Sequence, residues 1–270
     1  MIIITDNEKI EILHRRVVMT DLPVTQIQFG SSYWFFSSSN SCYLVGSSNG
    51  LICFAIDNSH LLLANPLTRQ VKKLKNRPQC PNRDTNVYCY YAENSLCWGF
   101  GYDSVMDDYM VMVGFIMKSE YVTCFHVLSL KSNVWKLVGQ VKYSHFSITG
   151  VLCNGALHWL MVDVNENKVI LSIDLSENKF KEIPQPDDVM YQSFIGRSAR
   201  PMLGTIEECL CIFDREWLPQ NLWKMNDYNV MRSWEMVGHD DWENKNDVVH
   251  FLQEPDHRIP YDKLGHECIS

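Results

Sequence analysis

A short apolar motif recurs four times along the chain. In each copy a bulky apolar residue is followed three positions later by an aliphatic one, and neighbouring copies lie 45 to 64 residues apart. The four copies are Val71/Leu74, Trp135/Val138, Phe180/Ile183 and Trp234/Val237. A recurrence on the order of 40–50 residues is typical of the four-stranded blades of a β-propeller. The pattern therefore predicts a chain built of repeated β-sheets.

Polar two-residue turns recur between these copies. Asn49-Gly50 and Asn154-Gly155 each stand between two apolar runs. Asn-Gly in this setting is a strong hairpin signal, because both residues tolerate a positive φ angle. A third copy spans Ile206 to Phe213 and carries Glu207-Glu208 at the turn. Since glutamate does not favour positive φ, this copy predicts a looser hairpin.

The remaining apolar segments also favour strands. In residues 169–175 the apolar Val169, Leu171, Ile173 and Leu175 alternate with Ile170, Ser172 and Asp174, which predicts a strand with one buried face. Tyr109 to Ile116 is almost wholly apolar, which predicts an inner strand covered on both faces or a short buried helix. No long stretch keeps a helical period. The predicted fold class is all-β: a β-propeller-like, kelch-like array of about five four-stranded blades, either complete or lacking blades.

Composition narrows the range of partners and locations. The net charge of −8 argues against nucleic acid, because phosphate binding requires clustered Lys and Arg, and the basic run at residues 69–77 is interpreted as a solvated outer strand and loop. The ten cysteines form no Cys-x-x-Cys pair, and several lie in apolar runs, where cysteine is a small buried hydrophobe. With no secretory signal and no apolar run of ~18 residues, we expect a cytoplasmic or nuclear location and no membrane partner.

Several residues of types that can catalyse reactions or bind metals are interpreted as structural. Asp103, Asp107 and Asp108 lack the spacing and turn glycine of an EF-hand loop, so a hairpin turn after Tyr102 is preferred. His158 lies in a predicted strand, where a structural role is more typical than a catalytic one. The sequence contains no Gly-x-Ser-x-Gly elbow and no Gly-rich phosphate loop. We expect no enzyme activity, no catalytic or metal-binding residue and no cofactor; the alternative is a propeller-type hydrolase with facing acids.

Three loops carry aromatic residues suited to protein binding. Propellers bind partners through the loops that join their strands, and exposed aromatic residues bury a large area at little entropic cost. The candidates are Tyr88, Tyr90 and Tyr91 in the loop 77–95, Tyr143, His145 and Phe146 in the loop 140–147, and Trp217 in the loop 215–221. Each of them has an alternative role in packing against its own blade.

A set of longer motifs follows in a fixed order along the chain. They are Gly46-Ser-Ser-Asn-Gly-Leu-Ile-Cys53, Ala64-Asn65-Pro66-Leu67-Thr68-Arg69, Gly99-Phe100-Gly101-Tyr102-Asp103, Asp107-Asp108-Tyr109, Gly150 to Trp159, and Leu222 to Tyr228 followed by Ser233-Trp234. In order and spacing this set resembles plant F-box proteins with an F-box-associated interaction domain of type 1, and it is nearest to the S-locus F-box group. The resemblance assigns residues 41–238 to that domain.

The resemblance implies a substrate-recognition subunit of an SCF-type E3 ubiquitin ligase. In that family an F-box helical bundle binds a Skp-type adaptor and, through it, a cullin, while the propeller-like domain holds the target protein for ubiquitination and degradation. The reaction itself belongs to other subunits. Such a receptor acts by raising the local concentration of the target, so it needs a binding surface rather than a reaction centre.

Both ends of the chain depart from the family pattern. Residues 1–40 show no F-box signature, and residues 239–270 form a polar tail where the family continues with blade strands. One interpretation is a receptor that reaches the adaptor and cullin only through an F-box supplied upstream. The other is a truncated or alternatively spliced protein that competes for a target without recruiting the adaptor. Residues 1–12 and 248–252 are then expected to pair and close the propeller, and the apolar segment 1–4 is either a closing strand or a stub.

Overall fold

The strands follow one another along the chain as four antiparallel sheets. The computed structural model describes residues 42–56, 60–78, 96–117, 122–197, 201–214 and 222–237, and within these ranges each sheet forms one blade. The backbone of two short hairpins precedes them. In these hairpins β1 (Ile2–Ile4) pairs with β2 (Ile10–Ile12), and β3 (Gln26–Phe29) pairs with β4 (Ser32–Phe35).

Each blade is traced from its inner strand to its outer strand, which is the order expected for a propeller. Blade 1 contains β5 (Cys42–Ser48), β6 (Leu51–Ile56), β7 (His60–Asn65) and β8 (Gln70–Lys73). Blade 2 contains β9 (Leu96–Asp103), β10 (Asp108–Met117), β11 (Val122–Ser129) and β12 (Val134–Val141). Blade 3 contains β13 (Ser144–His145), β14 (Val151–Cys153), β15 (Ala156–Val162), β16 (Lys168–Asp174) and β17 (Phe180–Ile183). Blade 4 contains β18 (Pro201–Ile206), β19 (Cys209–Asp214), β20 (Leu222–Met225) and β21 (Trp234–Met236).

The all-β propeller class is confirmed, but the number of blades is not. The arrangement in the described ranges has four blades, whereas the sequence predicted about five. Each of the four blades has one copy of the apolar motif in its outer strand, so a fifth blade had no motif copy to indicate it.

The recurring apolar motif marks the outer strand of each blade. Its four bulky residues lie in β8, β12, β17 and β21. In blades 2 to 4 this residue packs against a core shared with the preceding blade. The Phe180 ring lies 5.6 Å from the Phe125 ring of blade 2, and the Trp234 indole N–H donates a hydrogen bond of 2.7 Å to the Pro184 carbonyl beside blade 3. The sequence period is thus a consequence of repeated packing between blades.

The three two-residue turns share one backbone conformation. Both central residues have positive φ in Asn49-Gly50 (46° and 76°), in Asn154-Gly155 (48° and 72°) and in Glu207-Glu208 (49° and 64°). This is the combination that a type I′ hairpin requires. The prediction of a looser hairpin at Glu207-Glu208 is wrong, because pairing of β18 with β19 from Ile206↔Cys209 onward imposes the tight turn on two glutamates.

The two apolar segments form strands as expected. Tyr109 to Ile116 lies within β10, and its side chains are buried along most of the strand, so the inner-strand interpretation is confirmed and the helix alternative is wrong. Residues 169–175 lie mainly in β16, but here both faces are buried: Ile170, Leu171, Ser172 and Ile173 are each at most 3% exposed. The polar Ser172 is accommodated because its hydroxyl donates a hydrogen bond of 3.0 Å to the Lys181 carbonyl.

A helix that the sequence analysis did not predict connects blade 3 to blade 4. Helix α1 (Val189–Arg197) buries Tyr191, Phe194 and Ile195 against a core formed by both blades. The Asp188 carboxylate accepts a hydrogen bond of 2.7 Å from the Met190 N–H, which caps the first turn. The helix escaped detection because its buried face has only three residues, too short a run to establish a helical period.

Close packing at the inner strands explains the glycine-rich motifs. The Trp159 indole lies against Gly99 of β9 and against Gly150, where a Cβ atom would approach the ring to 2.7 Å and 2.5 Å. Its N–H donates a hydrogen bond of 3.0 Å to the Trp98 carbonyl. Trp98 also forms a parallel bridge with Thr149, through N–H···O bonds of 2.7 Å on each side. Glycine is required at both positions to admit one large ring between blades 2 and 3.

The structure describes only part of the two chain ends to which the predictions refer. Residues 2–4 pair with residues 10–12 in a hairpin of their own. Residues 248–252 and the polar tail 239–270 lie outside the described residues. A role of the N-terminal strands in closing the propeller stays a prediction.

Candidate protein-binding surface

The propeller has two faces with different connections. Because strands alternate in direction within each blade, the turns between its first and second and between its third and fourth strands lie on one face, here called the hairpin face. The loops between second and third strands and the links between blades lie on the opposite face, here called the connection face. The parallel bridge between Trp98 and Thr149 shows that the inner segments of blades 2 and 3 run in the same direction. Equivalent loops of these blades therefore project from the same side.

The strands that flank the three predicted binding loops end at the connection face. The loop 77–95 links β8 to β9, the loop 140–147 links blade 2 to blade 3, and the loop 215–221 joins β19 to β20. Tyr88, Tyr90, Tyr91 and Trp217 lie outside the described residues, so their part in binding stays a prediction.

Tyr143 lies between two blades and is half-buried. Its hydroxyl donates a hydrogen bond to the Glu182 carboxylate of β17, which together with burial raises the pKa of Tyr143 to about 12. Its backbone carbonyl accepts a hydrogen bond of 2.6 Å from the Thr123 hydroxyl of β11. The side chain therefore joins blade 2 to blade 3 while part of its ring stays accessible.

His145 and Phe146 follow at the start of blade 3 and are also half-buried. His145 lies in β13, opposite Met161 of β15. Phe146 packs against the core shared by blades 3 and 4, and its ring lies 5.5 Å below the Lys168 ammonium. These contacts match the alternative role of packing against the propeller. Binding by the exposed parts of the two rings stays a prediction.

Sequence reasoning missed an exposed apolar group on the same face. Val189 and Met190, in the first turn of α1, are 85% and 61% exposed, and Val164, in the loop between β15 and β16, is 64% exposed. A signal was present in Asp187-Asp188-Val189-Met190, since aspartate before an apolar pair is typical of a helix start. Aliphatic residues outside aromatic loops were not considered as binding residues.

The hairpin face carries comparable apolar residues. Leu67, Val105 and Met106 are 72%, 76% and 60% exposed at the tips of blades 1 and 2. Their surroundings carry both charges, because the Lys131 ammonium lies 2.9 Å from the Asp107 carboxylate and 3.3 Å from the Met106 carbonyl. Exposure alone therefore does not distinguish the two faces.

The acidic cluster predicted to be a hairpin turn is one. Asp103 and Asp108 pair across β9 and β10 and are buried. The Asp103 carboxylate accepts a hydrogen bond of 2.9 Å from the Val105 N–H within the turn. The Asp108 carboxylate accepts hydrogen bonds from the Lys131 N–H, at 3.0 Å, and from the Ser129 hydroxyl. The two acids hold turns of blade 2 in place.

The contacts of His158 are those of a structural core residue. It is fully buried in β15, and burial lowers its pKa to about 4, so the ring is neutral at pH 7. Since the Val151 carbonyl can only accept, Nδ1–H donates to it at 3.2 Å, and Nε2 accepts a hydrogen bond of 2.7 Å from the Tyr228 hydroxyl. The imidazole thereby joins blade 3 to the loop between β20 and β21.

The cysteines inside apolar runs are small core residues, as predicted. Cys53, Cys124 and Cys153 are at most 5% exposed. Burial raises the pKa of the Cys53 thiol and raises that of Cys153 to about 12, which keeps both thiols protonated. Over the part of the chain that the structure describes, no group of three or more His, Cys, Asp or Glu residues is arranged to hold a metal ion.

The predicted solvated strand is also confirmed. Lys72 and Lys73 of β8 are exposed at the outer edge of blade 1. Among the described residues, no helix is long and apolar enough to cross a bilayer.

A radial set of sheets with loops on two faces defines a propeller of the kind that binds other molecules through its loops. The family model for the F-box associated beta propeller domain matches residues 21–240. The chain belongs to this family, and the family resemblance seen in its motifs is confirmed.

Curated relatives agree with this assignment. The chain is similar to three proteins of Arabidopsis thaliana. F-box protein CPR1 is 31% identical over 220 residues, which is 71% of this chain and 50% of that protein. F-box/kelch-repeat protein At3g23880 is 27% identical over 201 residues, 72% and 51% of the two chains. F-box protein At3g07870 is 26% identical over 228 residues, 74% and 51%. The chain thus spans about half the length of the curated relatives it matches.

Proposed function

We propose that this chain is the target-binding module of an SCF-type E3 ubiquitin ligase. The observation that carries the proposal is membership of the F-box associated propeller family, together with relatives whose names identify them as F-box proteins. Proteins of this adaptor type are in general not enzymes. The proposed activity is therefore the binding of a protein, without a reaction at this chain.

The proposed mechanism depends on a rigid surface. The inner strands pack closely around Trp159, and outer-strand aromatic residues join each of blades 2 to 4 to the blade before it. A target held on the connection face would keep a fixed orientation relative to the rest of the ligase. Holding a lysine near the loaded conjugating enzyme raises its effective concentration, which is how such a receptor accelerates transfer.

The proposed partners follow from the family. The target binds through propeller loops, with Tyr88, Tyr90, Tyr91, Tyr143, His145, Phe146 and Trp217 as candidate contacts. A Skp-type adaptor and a cullin join only when an F-box stands ahead of the propeller. We propose a cytoplasmic or nuclear location, and neither nucleic acid nor a membrane as partner.

A second candidate function is that of a competitor. A propeller that acts apart from an F-box would occupy a target without delivering it to the ligase, and would thereby protect the target.

Immunoprecipitation of the tagged protein, followed by detection of the adaptor and of specific partners, tests these functions. The tagged full chain and a fusion carrying an F-box ahead of Met1 are expressed in plant cells, and each precipitate is probed for the Skp-type adaptor. We expect the fusion to retrieve the adaptor and the unfused chain to retrieve little. If the unfused chain retrieves as much as the fusion, the competitor function is wrong. If the fusion retrieves the adaptor but no protein specific to the propeller, the target-binding function is wrong.

A further inference from the structure

Three exposed aliphatic residues lie around a rigid junction on the connection face. Val164 belongs to the loop between β15 and β16, and Val189 and Met190 begin α1. Single exposed apolar residues are ordinary on protein surfaces. The significance of this group depends on whether the loop and the helix are held together and on the charge around them.

Gln185 connects the loop to the helix. Its amide N–H donates a hydrogen bond of 2.7 Å to the Lys168 carbonyl, at the end of the loop that carries Val164. Its side-chain oxygen accepts a hydrogen bond of 2.7 Å from the hydroxyl of Tyr191, which is buried under α1. At the other end of the helix the Lys168 ammonium donates a hydrogen bond of 2.7 Å to the Ile195 carbonyl. The helix and the loop therefore form one preorganised surface, which lowers the entropic cost of binding.

The two segments that carry this surface are predominantly acidic. The two segments that frame it, residues 163–168 and 185–190, contain the carboxylates of Asp163, Glu166, Asp187 and Asp188 and a single cation, Lys168. Lys168 is directed onto the helix and over the Phe146 ring, so its charge is largely engaged within the fold. Arg197 lies at the far end of α1, roughly 12 Å from Val189 at 1.5 Å per residue. Glu166 and Asp187 are exposed.

We propose that Val164, Val189 and Met190, here called the α1 patch, are a docking site for a target segment that presents apolar side chains flanked by Lys or Arg. The apolar side chains of the segment would cover the three aliphatic residues, and its cations would face Glu166, Asp187 and Asp188. Complementary charge selects the partner, and apolar burial supplies affinity. This inference rests on the proposed function, because it names the chemistry of the target that the propeller holds.

The hairpin face supplies a matched control. Val105 and Met106 are as exposed as Val189 and Met190, but they lie beside the Lys131–Asp107 ion pair rather than a run of carboxylates. Val105→Ser/Met106→Ser and Val189→Ser/Met190→Ser make the same chemical change on opposite faces. All four side chains are exposed, so neither change removes buried contacts.

The test is fluorescence anisotropy with two labelled fifteen-residue peptides. One peptide alternates leucines with lysines, and the other has glutamate in place of every lysine. We expect the full chain to bind the lysine peptide at least about tenfold more tightly than the glutamate peptide. Val189→Ser/Met190→Ser and Asp187→Lys should each weaken binding of the lysine peptide by about tenfold, while Val105→Ser/Met106→Ser leaves it unchanged.

The inference is overturned if the lysine peptide binds Val189→Ser/Met190→Ser as tightly as the unchanged chain, or if the hairpin-face variant weakens it equally. Circular dichroism and thermal unfolding of each variant establish that the fold is retained. The result is separable from the proposed function. Suppose that the fusion retrieves the adaptor and specific targets, and that Val189→Ser/Met190→Ser retrieves the same targets. The proposed target-binding function would then stand, and only the α1 patch would be rejected as the binding site.

Discussion

Glu207 and Glu208 hold a backbone conformation that glutamate ordinarily avoids. Both have positive φ, where a Cβ atom costs roughly 1–2 kcal/mol per residue. Glu207 is partly compensated by its ion pair with Lys224. The Glu208 carbonyl, which accepts a hydrogen bond from the Cys153 thiol at 3.2 Å, is a backbone group and would survive substitution.

Glu208→Gly is therefore expected to stabilise the protein. Relief of the left-handed conformation should exceed the entropic cost of glycine, giving a gain of about 0.5–1 kcal/mol in urea unfolding. Gly155→Ala, at the equivalent turn position with φ of 72°, is the reciprocal control and should destabilise by a similar amount. A loss of stability in Glu208→Gly would show that its side chain has a stabilising role beyond the turn.

The buried imidazole of His158 predicts a pH dependence. Its folded pKa of about 4 lies below the unfolded value of about 6.5, so the unfolded chain binds more protons between these values. The stability contributed by the neutral ring is complete above pH 6.5 and is lost as the pH falls toward 4. Between pH 7 and pH 5 the loss should be about 2 kcal/mol.

Urea unfolding of two variants at both pH values isolates this effect. His158→Gln is expected to lower stability at pH 7 and to show a smaller further loss at pH 5. Tyr228→Phe removes the hydroxyl that donates to His158 but leaves the His158 imidazole buried, so this variant should retain the pH dependence of stability. Equal losses between pH 7 and pH 5 in the unchanged chain and in His158→Gln would assign the dependence to other groups.

At the scale of the elements, Trp159 joins blades 2 and 3. A methyl group at position 150 would lie 2.5 Å from the indole, and the surrounding strands leave little room for movement. Gly150→Ala is expected to cost about 1–3 kcal/mol in unfolding free energy through overpacking.

The matched control is Gly196→Ala in α1. A Cβ atom there meets nothing within 4 Å, so helix propensity should make the substitution neutral or stabilising by up to about 1 kcal/mol. If both substitutions have the same small effect, the ring does not confine position 150, and the account of the glycine motif fails.

Elements whose packing repeats were the ones that the sequence could predict. The outer strands were found because Trp135, Phe180 and Trp234 each pack against a core shared with the preceding blade. The Asn-Gly hairpins were found because their residue types match their backbone angles. Helix α1 was missed because only Tyr191, Phe194 and Ile195 form its buried face, a run too short to establish a period. Glu207-Glu208 was misjudged because strand pairing overrides local preference.

At the scale of the whole molecule, topology decides which loops act together. The predicted aromatic loops are far apart in sequence, yet the strands that flank them all end on the connection face. Only the antiparallel order of the sheets establishes this. The four copies of the apolar motif match the four described blades one for one, so the expectation of about five blades went beyond what the repeat itself indicated.

The candidate binding site could be predicted from the sequence only in part. Aromatic residues in loops are visible in a sequence, whereas the α1 patch joins residues 164 and 189 through hydrogen bonds of Gln185 with Lys168 and Tyr191. No local pattern contains that connection. The family motifs, in contrast, were visible because each one satisfies a local requirement, such as the room that Gly99 and Gly150 leave for one ring.

The central claim is that this propeller selects proteins for a ubiquitin ligase, and protein turnover tests it most directly. The full chain carrying a fused F-box is induced in plant cells, and the abundance and ubiquitination of the proteins that the unfused chain retrieves are measured with and without a proteasome inhibitor. The account predicts that these proteins gain ubiquitin and decline only when the proteasome is active. Unchanged ubiquitination and abundance of the retrieved proteins, in cells where the fusion binds the adaptor, would contradict it.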